Sequence, residues 1–393
     1  MAQLKNIKRW FWVHRWTSLI CTLFLLLLCL TGLPLIFEEE IEQWLSTDPP
    51  YAVMPKNTPT ANLDNFVSQA RHRYPKDVIT YVFIDDDEPQ VIVSMLPSYA
   101  SDDKLSHAMQ FDARTAKLLK DEPPLNAQPQ TFNGLMLSLH RDLFMGLPGE
   151  LFMGLMGLLF VVSMISGIVL YGPFMKKLDF GTVRSGRSRR LKWLDLHNLL
   201  GIATAAWLLV VGFTGVMNEL STPFFGLWQI TDVKTMLDKY KGKPVPKTEE
   251  LSSVQAAYQT AKQALPDATI VSIVFPGNRY GSPFHYLLWA KGNTPLTSQL
   301  FNPILVDAPS GNLTAVVKMP WYLRSVEISR PLHFGNYGGT PLKIIWAIFD
   351  VVAIVVLISG VYLWFVRRKF YTEYFLRLST EENNESLITS NKG

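Results

Sequence analysis

Four long stretches with almost no charge constrain this chain more than any other feature of its sequence. Each stretch is at least about 20 residues long, which is the length a helix needs to cross roughly 30 Å of hydrocarbon. A single stretch of this kind could be a buried helix of a soluble protein, but four in 393 residues indicate an integral membrane protein. The stretches are 17–37, 151–175, 196–218 and 344–366.

Clusters of lysine and arginine beside these stretches predict their orientation. Basic residues are frequent before the first stretch, between the second and the third, and after the fourth. Because such residues favour the cytoplasmic ends of membrane helices, we expect both termini and the 176–194 loop in the cytoplasm. The long segments after the first and third helices are then exported. These flanks account for the net charge of +4, so nucleic acid is not an expected partner.

The chain is predicted to contain two copies of one unit. At the first and third stretches, a histidine near the start precedes a glycine by 18 residues, and a histidine before the second and fourth stretches precedes a glycine by 27 residues. The related pairs are His14 with Gly32, His197 with Gly215, His140 with Gly167, and His333 with Gly360. Both copies enter from the same side, so the repeat is parallel and its pseudo-twofold axis lies along the membrane normal. Related residues then face each other at one depth.

The two exported segments also resemble each other. Amphipathic helices are predicted over 62–74 and 252–265, each ended by a proline, and apolar runs typical of strands follow both. Each segment is therefore predicted to form a small domain of one helix and an antiparallel sheet.

Two facing imidazoles at each end of a four-helix bundle predict a cofactor. Haem iron accepts one neutral imidazole on each face of the porphyrin, whereas zinc or copper would need further ligands. We therefore expect an inner haem b held by His14 and His197, and an outer haem b held by His140 and His333. The only cysteines, Cys21 and Cys29, both lie in the first membrane stretch, and no Cys-x-x-Cys-His motif for covalent haem attachment occurs.

Glycines and arginines near these histidines are further cofactor-binding candidates. Eighteen residues make five helical turns, so Gly32 lies on the face of His14 about 27 Å further along the helix. A small residue there predicts room for the edge of a macrocycle, and close helix packing is the alternative. Arginines could pair with the haem propionates. The candidates are Gly32, Gly215, Gly167, Gly360, Arg15 and Arg141.

Three other residues within the stretches bear on electron transfer. Asp350 is an ionisable group inside the fourth stretch. The repeat relates it to Gly157 in the second stretch. Asp350 could steer protons or tune a haem, or it could pair with a hydroxyl group inside the bundle. If the two haems do not approach each other closely, an intervening aromatic residue such as Trp207 or Phe213 is expected between them.

The histidine motifs resemble the PepSY-associated transmembrane proteins over about residues 5 to 370. The resemblance rests on His-Arg-Trp at 14–16, Leu-His-Arg-Asp-Leu-Phe at 139–144, Asp-Leu-His-Asn-Leu-Leu-Gly at 195–201 and Pro-Leu-His-Phe-Gly at 331–335. It implies a bacterial inner-membrane protein with two PepSY-like periplasmic domains. Members of that family include reductases of ferric siderophores. The resemblance also implies haem at the four histidines and electron delivery to the periplasm.

The expected function is therefore a di-haem reductase that passes electrons to a periplasmic ferric siderophore and releases Fe(II). The sequence contains no Gly-x-Gly-x-x-Gly after a strand, so the donor is expected to be a cytoplasmic flavoprotein or the quinol pool. One alternative is a membrane cytochrome that reduces a periplasmic protein. Another is a haem-free PepSY scaffold or regulator that binds an envelope protein.

The expected fold class is a membrane α protein with exported α+β parts. The lipid of the membrane is expected to surround its four-helix bundle. The predicted segments are 1–37 (N-terminal segment and first membrane helix), 38–131 (first periplasmic domain), 132–175 (short periplasmic helix and second membrane helix), 176–194 (cytoplasmic loop), 195–219 (third membrane helix), 220–332 (second periplasmic domain), 333–369 (outer histidine loop and fourth membrane helix) and 370–393 (cytoplasmic tail).

Overall fold

The structure is a computed structural model, and it describes residues 2–45, 50–55, 57–175 and 179–390. Its contacts divide the chain into two units. The first unit comprises residues 1–38, 133–220 and 332–393, and the second comprises 39–132 and 221–331. Two basic residues of the predicted cytoplasmic loop, Lys176 and Lys177, lie outside the described residues.

Helices and antiparallel strands make up the described residues. The helices are α1 (Ala2–Leu35), α2 (Glu38–Leu45), α3 (Leu63–Arg73), α4 (Phe132–Arg141), α5 (Leu147–Met175), α6 (Arg189–Glu219), α7 (Ser221–Trp228), α8 (Lys234–Leu237), α9 (Val254–Ala264), α10 (Trp321–Phe334) and α11 (Gly339–Ser390). The strands are β1 (Val78–Ile84), β2 (Gln90–Leu96), β3 (His107–Asp112), β4 (Leu118–Glu122), β5 (Ala268–Val274), β6 (His285–Gly292), β7 (Phe301–Asp307) and β8 (Leu313–Val316).

Within the described ranges, four helices of the first unit are long and apolar enough to cross a membrane. They coincide with the four predicted stretches, which confirms that part of the expected fold. The spans are Ile7–Leu35, Leu147–Gly172, Arg189–Glu219 and Asn336–Val366. In the bundle, α1 and α6 each pack against both α5 and α11. Each histidine-bearing membrane helix therefore has two neighbours that can supply partners to its side chains.

Helix α6 begins at Arg189, earlier than the predicted start of the third membrane helix. Ser188 caps it, since its side chain accepts a hydrogen bond from the backbone N–H of Leu191. Within the same unit, Arg184 donates to the buried carboxylate of Asp195 at 2.7 and 2.9 Å. The basic residues at the start of α6 are therefore helical and not part of an irregular loop.

The second unit contains one continuous eight-stranded antiparallel sheet with strand order β4-β3-β2-β1-β5-β6-β7-β8. The predicted helix and antiparallel strands are present in both segments that were expected to be exported. The two segments were expected as separate domains, but β1 pairs with β5, so that Val82 lies opposite Ile273. The edge strands of both halves thus satisfy each other's backbone hydrogen bonds.

Helices α3 and α9 cover one face of this sheet and form the largest apolar core of the unit with it. Phe66 of α3 and Phe111 of β3 are fully buried there, and their ring centroids are 5.5 Å apart. The two helices also cap each other: Asp64 of α3 accepts from the backbone N–H of Val254, and Gln255 of α9 accepts from that of Leu63. The two halves therefore share one hydrophobic core.

Candidate functional site

Four histidines of the first unit form two facing pairs. The ring centroids of His14 on α1 and His197 on α6 are 6.4 Å apart, with an angle of 67° between the rings. Those of His140 on α4 and His333 on α10 are 6.1 Å apart, at 65°. The structure thus brings together the residues that the repeat spacing pairs, and the two sites share nearly the same geometry.

In the first pair, the Nδ1 atom of each imidazole is held by an adjacent membrane helix. Nδ1 of His14 lies 2.9 Å from the carbonyl oxygen of Ser163 and 3.2 Å from the hydroxyl of Ser166, both on α5. Nδ1 of His197 lies 3.1 Å from the carbonyl oxygen of Val356 and 2.9 Å from the hydroxyl of Ser359, both on α11. Each ring therefore has one backbone and one hydroxyl partner.

The second pair uses threonine in place of serine. Nδ1 of His140 lies 3.1 Å from the hydroxyl of Thr31 on α1. Nδ1 of His333 lies 3.2 Å from the hydroxyl of Thr214 and 3.0 Å from the carbonyl oxygen of Val211, both on α6. All four histidines are thus oriented through Nδ1 by a residue that immediately precedes a candidate glycine.

The hydroxyl partners determine which ring nitrogen carries the proton. Each hydroxyl already donates its proton to a carbonyl oxygen of its own helix, at 2.7 Å in all four cases. Its oxygen can therefore only accept from the imidazole, as can the backbone carbonyl groups. Nδ1 must then be the protonated nitrogen, and in a neutral imidazole this leaves the lone pair on Nε2. Such an arrangement is typical of metal-binding histidines, whose other nitrogen donates to an oriented acceptor.

The separation of the rings suits one metal atom between each pair. A bond of about 2.0 Å from each Nε2, with each nitrogen about 1.1 Å from its ring centroid, would place the centroids about 6.2 Å apart. The observed separations are 6.4 and 6.1 Å.

Burial lowers the pKa of His140 to about 3 and that of His333 to about 4, so both rings are neutral at physiological pH. Neutral imidazole is the form that coordinates metals.

Each candidate glycine lies against the imidazole ring of one of the four histidines. A Cβ built on Gly32 would come 3.0 Å from Cε1 of His140. The expected room for the edge of a macrocycle at these positions remains a prediction. The other distances from a built Cβ to an imidazole Cε1 are 3.1 Å for Gly167 to His14, 3.1 Å for Gly215 to His333, and 3.4 Å for Gly360 to His197.

The two candidate arginines differ in their surroundings. The guanidinium of Arg15 lies over the ring of Trp16, 5.4 Å from its centroid, and its buried Nε has no hydrogen-bond partner among the described residues. It remains available to an anion. Arg141 instead pairs with Asp142 at 3.0 Å and lies 3.7 Å from Glu150. Two carboxylates therefore lie close to its guanidinium, and its expected role beside a haem propionate remains a prediction.

Trp207 lies between the two histidine pairs along α6. It follows His197 by 10 residues and precedes Thr214 by 7, which is about 15 and 10 Å of helix. Its ring is buried and contacts Trp346 and Phe349 of α11, at centroid distances of 6.2 and 5.6 Å. The alternative aromatic residue, Phe213, is 58% exposed and does not occupy the bundle interior.

Asp350 is buried in the bundle beside Cys29 of α1. The thiol of Cys29 is close enough to influence its carboxyl group electrostatically, and Oδ2 of Asp350 has no partner among the described residues. The other buried histidines have structural partners, since His107 pairs with Asp77 at 2.8 Å and His285 with Ser282 at 2.8 Å.

Sequence reasoning assigned no role to the four hydroxyl residues that orient the imidazoles. The signal was present, because each of them stands directly before a glycine of the repeat, as Thr31-Gly32, Ser166-Gly167, Thr214-Gly215 and Ser359-Gly360. Recognising their role required the neighbouring helix to be known, since each hydroxyl contacts a histidine more than 100 positions away.

These features define a class of membrane protein. It has a bundle of four membrane-length helices with paired histidines at two levels, which form a candidate cofactor site, and an antiparallel α+β unit. Residues 11–367 match the family described as the PepSY-associated TM region. The chain belongs to this family. It is also similar to an uncharacterised protein of Pseudomonas aeruginosa, with 33% identity over 86 residues. That match covers 22% of this chain and 21% of the relative, so it spans about a fifth of the length of each.

Proposed function

We propose that this chain is a di-haem b reductase of the bacterial inner membrane, which passes electrons to a periplasmic ferric siderophore and releases Fe(II). The observation that carries the proposal is the pair of imidazoles repeated at two levels of the bundle. In each pair, Nδ1 is held by fixed acceptors and the ring separation matches the span of two histidine–metal bonds.

The residues fit haem better than a free metal ion. Within the described residues, the only group of three or more His, Cys, Asp or Glu side chains that could hold an ion is Asp85–Asp87 in the second unit. A metal between two histidines alone would lack most of its ligands, whereas a porphyrin supplies four. The unpartnered buried Nε of Arg15, next to His14, further suits a propionate. His14, His197, His140 and His333 would hold the haems, which would supply one-electron transfer.

The chain's own residues maintain the geometry that such transfer requires. Ser166 and Ser359 fix the rings of His14 and His197, and a fixed ligand orientation limits the rearrangement that accompanies a change of oxidation state. Trp207 is buried between the two histidine pairs, so an aromatic ring and not water occupies the space between them inside the bundle. The predicted orientation assigns the His14–His197 level to the cytoplasmic side.

Matched contacts support the parallel repeat on which this arrangement depends. Each bond of His14 to α5 has a counterpart from His197 to α11, 183 positions later for the histidine and 193 for its partners. A pseudo-twofold axis along the membrane normal, running between the rings of each pair, would produce this equivalence. The same symmetry would make the two imidazoles of each pair equivalent as candidate ligands of one metal atom.

The proposed substrate chemistry is the one-electron reduction of chelated Fe(III). Siderophores hold Fe(III) through hard oxygen ligands, and the softer, less charged Fe(II) is held more weakly and dissociates. The electron would come from a cytoplasmic flavoprotein or from quinol in the surrounding lipid. The two PepSY-like halves of the second unit would contact the chelate.

A reduced-minus-oxidised absorption spectrum of the detergent-purified chain tests this function. We expect about two low-spin b haems per chain, with one lost in His197→Leu and the other in His333→Leu. Exposed His72 provides the control, because His72→Leu should retain both. Anaerobic mixing of the reduced protein with ferric siderophores of different ligand classes should then show at least one that reoxidises the haems and releases Fe(II) to a chromogenic chelator.

Two results would contradict the proposal. A colourless protein from cells well supplied with haem would remove the redox function altogether and favour the scaffold alternative. If the protein contains two haems but no ferric siderophore reoxidises them, the electron acceptor is a protein instead.

A further inference from the structure

A cavity of about 470 Å³ opens in the second unit between the chain that follows α7 and the start of β6. Its size falls in the range of roughly 300 to 1,000 Å³ that is typical of small-molecule sites. Six of its lining residues carry charge or an aromatic ring: Lys234, Asp238, Tyr240, Lys241, Lys243 and Phe284. None of them belongs to the histidine pairs.

The aromatic wall of this cavity is held in place from behind. The rings of Tyr240 and Phe284 are stacked, with centroids 5.3 Å apart and an angle of 20° between them. Tyr240 also contacts the buried ring of His285 edge-on at 4.6 Å, and Ser282 fixes that ring at 2.8 Å. The cavity is therefore lined by a stacked aromatic pair, of which Tyr240 packs against a histidine held by a buried hydrogen bond.

The rim of the cavity is positively charged. It carries three lysines and one aspartate, a net charge of +2 (3 − 1), and none of the three lysines forms an ion pair within the described part of the chain. The ammonium group of Lys243 lies 4.6 Å from the centroid of Tyr240. Gly242, with a positive φ of 85°, makes the turn that places Lys241 and Lys243 on the same cavity.

We propose that this cavity binds an anionic ferric chelate with aromatic catecholate arms, an inference that rests on the proposed reductase function and specifies its substrate class. Three dianionic catecholates outweigh the charge of the ferric ion, so the complex is a compact polyanion with flat rings at its surface. Lysines bind such anions as mobile point charges, and the Tyr240–Phe284 wall offers a face for stacking. A neutral tris-hydroxamate complex has neither the charge nor the aromatic ring.

Binding can be measured apart from electron transfer with gallium(III), which has the charge of Fe(III) but is not reduced under these conditions. Equilibrium dialysis of the detergent-purified full chain against gallium(III) tris-catecholate gives the Kd. We expect the double variant Lys241→Gln, Lys243→Gln to raise this Kd about tenfold. Lys239→Gln is the matched control, because Lys239 is exposed on the same segment and does not line the cavity. It should change the Kd less than twofold.

A second variant tests the aromatic wall. Phe284→Leu retains the charge and most of the apolar volume but removes the stacking face, and we expect the Kd for the catecholate complex to rise about fivefold. Gallium(III) tris-acetohydroxamate, which is neutral, should bind the unaltered chain at least tenfold more weakly than the catecholate complex. Far-ultraviolet circular dichroism of each variant checks that the second unit remains folded.

Several results would overturn this assignment. They are an unchanged Kd in the double lysine variant, an equal effect of Lys239→Gln, or binding of the neutral hydroxamate complex as tight as that of the catecholate. If phosphatidylglycerol vesicles bind through the same lysines and the gallium complex does not bind, the cavity is a lipid headgroup site instead. A chain that binds the gallium complex but contains no haem retains this site and loses the proposed reductase function, and the converse result removes only this site.

Discussion

Gly32 of α1 lies against the imidazole ring of His140, so closely that an added Cβ would come 3.0 Å from Cε1. Few real Cβ contacts are this short, and the ring is also held at Nδ1 by Thr31 at 3.1 Å. A hydroxyl residue and a glycine at adjacent positions of one helix therefore fix both the orientation and the approach of a histidine on another. The same combination recurs at each of the four histidines.

Gly32→Ala should disturb one candidate haem site and leave the other intact. The new methyl group must displace the ring of His140, because that ring cannot rotate without losing its bond to Thr31. We expect haem affinity at the His140–His333 level to fall about tenfold, the lower end of the effect of disturbing a ligand's supporting contacts. Haem retained after gel filtration, counted per chain, measures the change.

Two other glycines calibrate this prediction. Gly360→Ala should have a smaller effect, since its Cβ would lie 3.4 Å from His197, an ordinary van der Waals contact. Gly172→Ala should have none, because nothing lies within 4 Å of its Cβ position. An equal loss of haem in all three variants would show that glycine acts there through helix packing in general and not through the imidazole contact.

Ser359→Ala should alter the electronic character of the His197 ligand. The variant removes the hydroxyl acceptor 2.9 Å from Nδ1 and leaves the carbonyl oxygen of Val356 at 3.1 Å. An acceptor at Nδ1 makes imidazole a stronger electron donor and stabilises the oxidised metal. We therefore expect the midpoint potential of the His14–His197 site to rise, with no shift at the other site, in a spectroelectrochemical titration.

Thr204→Ala controls for the loss of a buried hydroxyl group from the bundle. Thr204 is buried on α6, and its hydroxyl donates to the carbonyl oxygen of Leu200 at 2.8 Å without contacting a histidine. The midpoint potential of the His14–His197 site in Thr204→Ala should equal that in the unaltered protein. A potential that falls in Ser359→Ala, or rises equally in Thr204→Ala, would argue against the proposed role of the Nδ1 bond.

Arg184→Gln should destabilise the first unit because it leaves the buried carboxylate of Asp195 without its cation. Arg184 donates to that carboxylate through its backbone N–H and two side-chain nitrogens, at 2.7 to 2.9 Å. Removing the cation leaves the charge of a buried carboxylate uncompensated, which is destabilising. We expect a lower midpoint in thermal unfolding of the detergent-solubilised chain, and partial recovery in the double variant Arg184→Gln, Asp195→Asn. Arg187→Gln, an exposed change in the same loop, should leave the midpoint unchanged.

The sequence predicts the histidine pairs because they depend on two quantities that local pattern carries. Helical periodicity places Gly32 on the face of His14, and the recurrence of the 18-residue spacing identifies the partner residues. The contact of Gly32 with His140 depends instead on how α1 and α4 are aligned against each other. That alignment arises from side-chain packing between segments about 100 residues apart, which no local pattern encodes.

The continuous sheet of the second unit was not predictable for a related reason. Each half of the second unit shows its own helix and strand pattern, but the register of Val82 opposite Ile273 joins residues 191 positions apart. Both strands are apolar on the face toward the core, and either could have been an edge strand. By contrast, the start of α6 at Arg189 had a readable signal, since Ser188 is a favourable N-cap residue.

Asp112→Asn should change how the stability of the second unit depends on pH. Burial opposes ionisation of this carboxyl group, but hydrogen bonds from the backbone N–H groups of Ala52, Arg114 and Thr115 outweigh it and lower its pKa from 3.8 to about 2. A carboxyl group with a lowered pKa in the folded state adds stability above its unfolded pKa, and this stability is lost as the pH falls through the folded pKa. The unaltered chain should therefore lose stability between about pH 4 and pH 2.

At pH 7, Asp112→Asn should lower the free energy of unfolding by about 2 kcal/mol, since buried N–H groups lose a charged acceptor. Between pH 4 and pH 2 the variant should lose less stability than the unaltered chain, because no ionised Asp112 remains to be protonated. Asp307, the last residue of β7 as Asp112 is the last of β3, gives a matched comparison. Oδ1 of Asp307 accepts from the backbone N–H and the hydroxyl of Ser310, so Asp307→Asn removes fewer backbone bonds. Chemical unfolding followed by circular dichroism measures both effects. Parallel stability curves for Asp112→Asn and the unaltered chain below pH 4 would contradict the assigned role of these backbone groups.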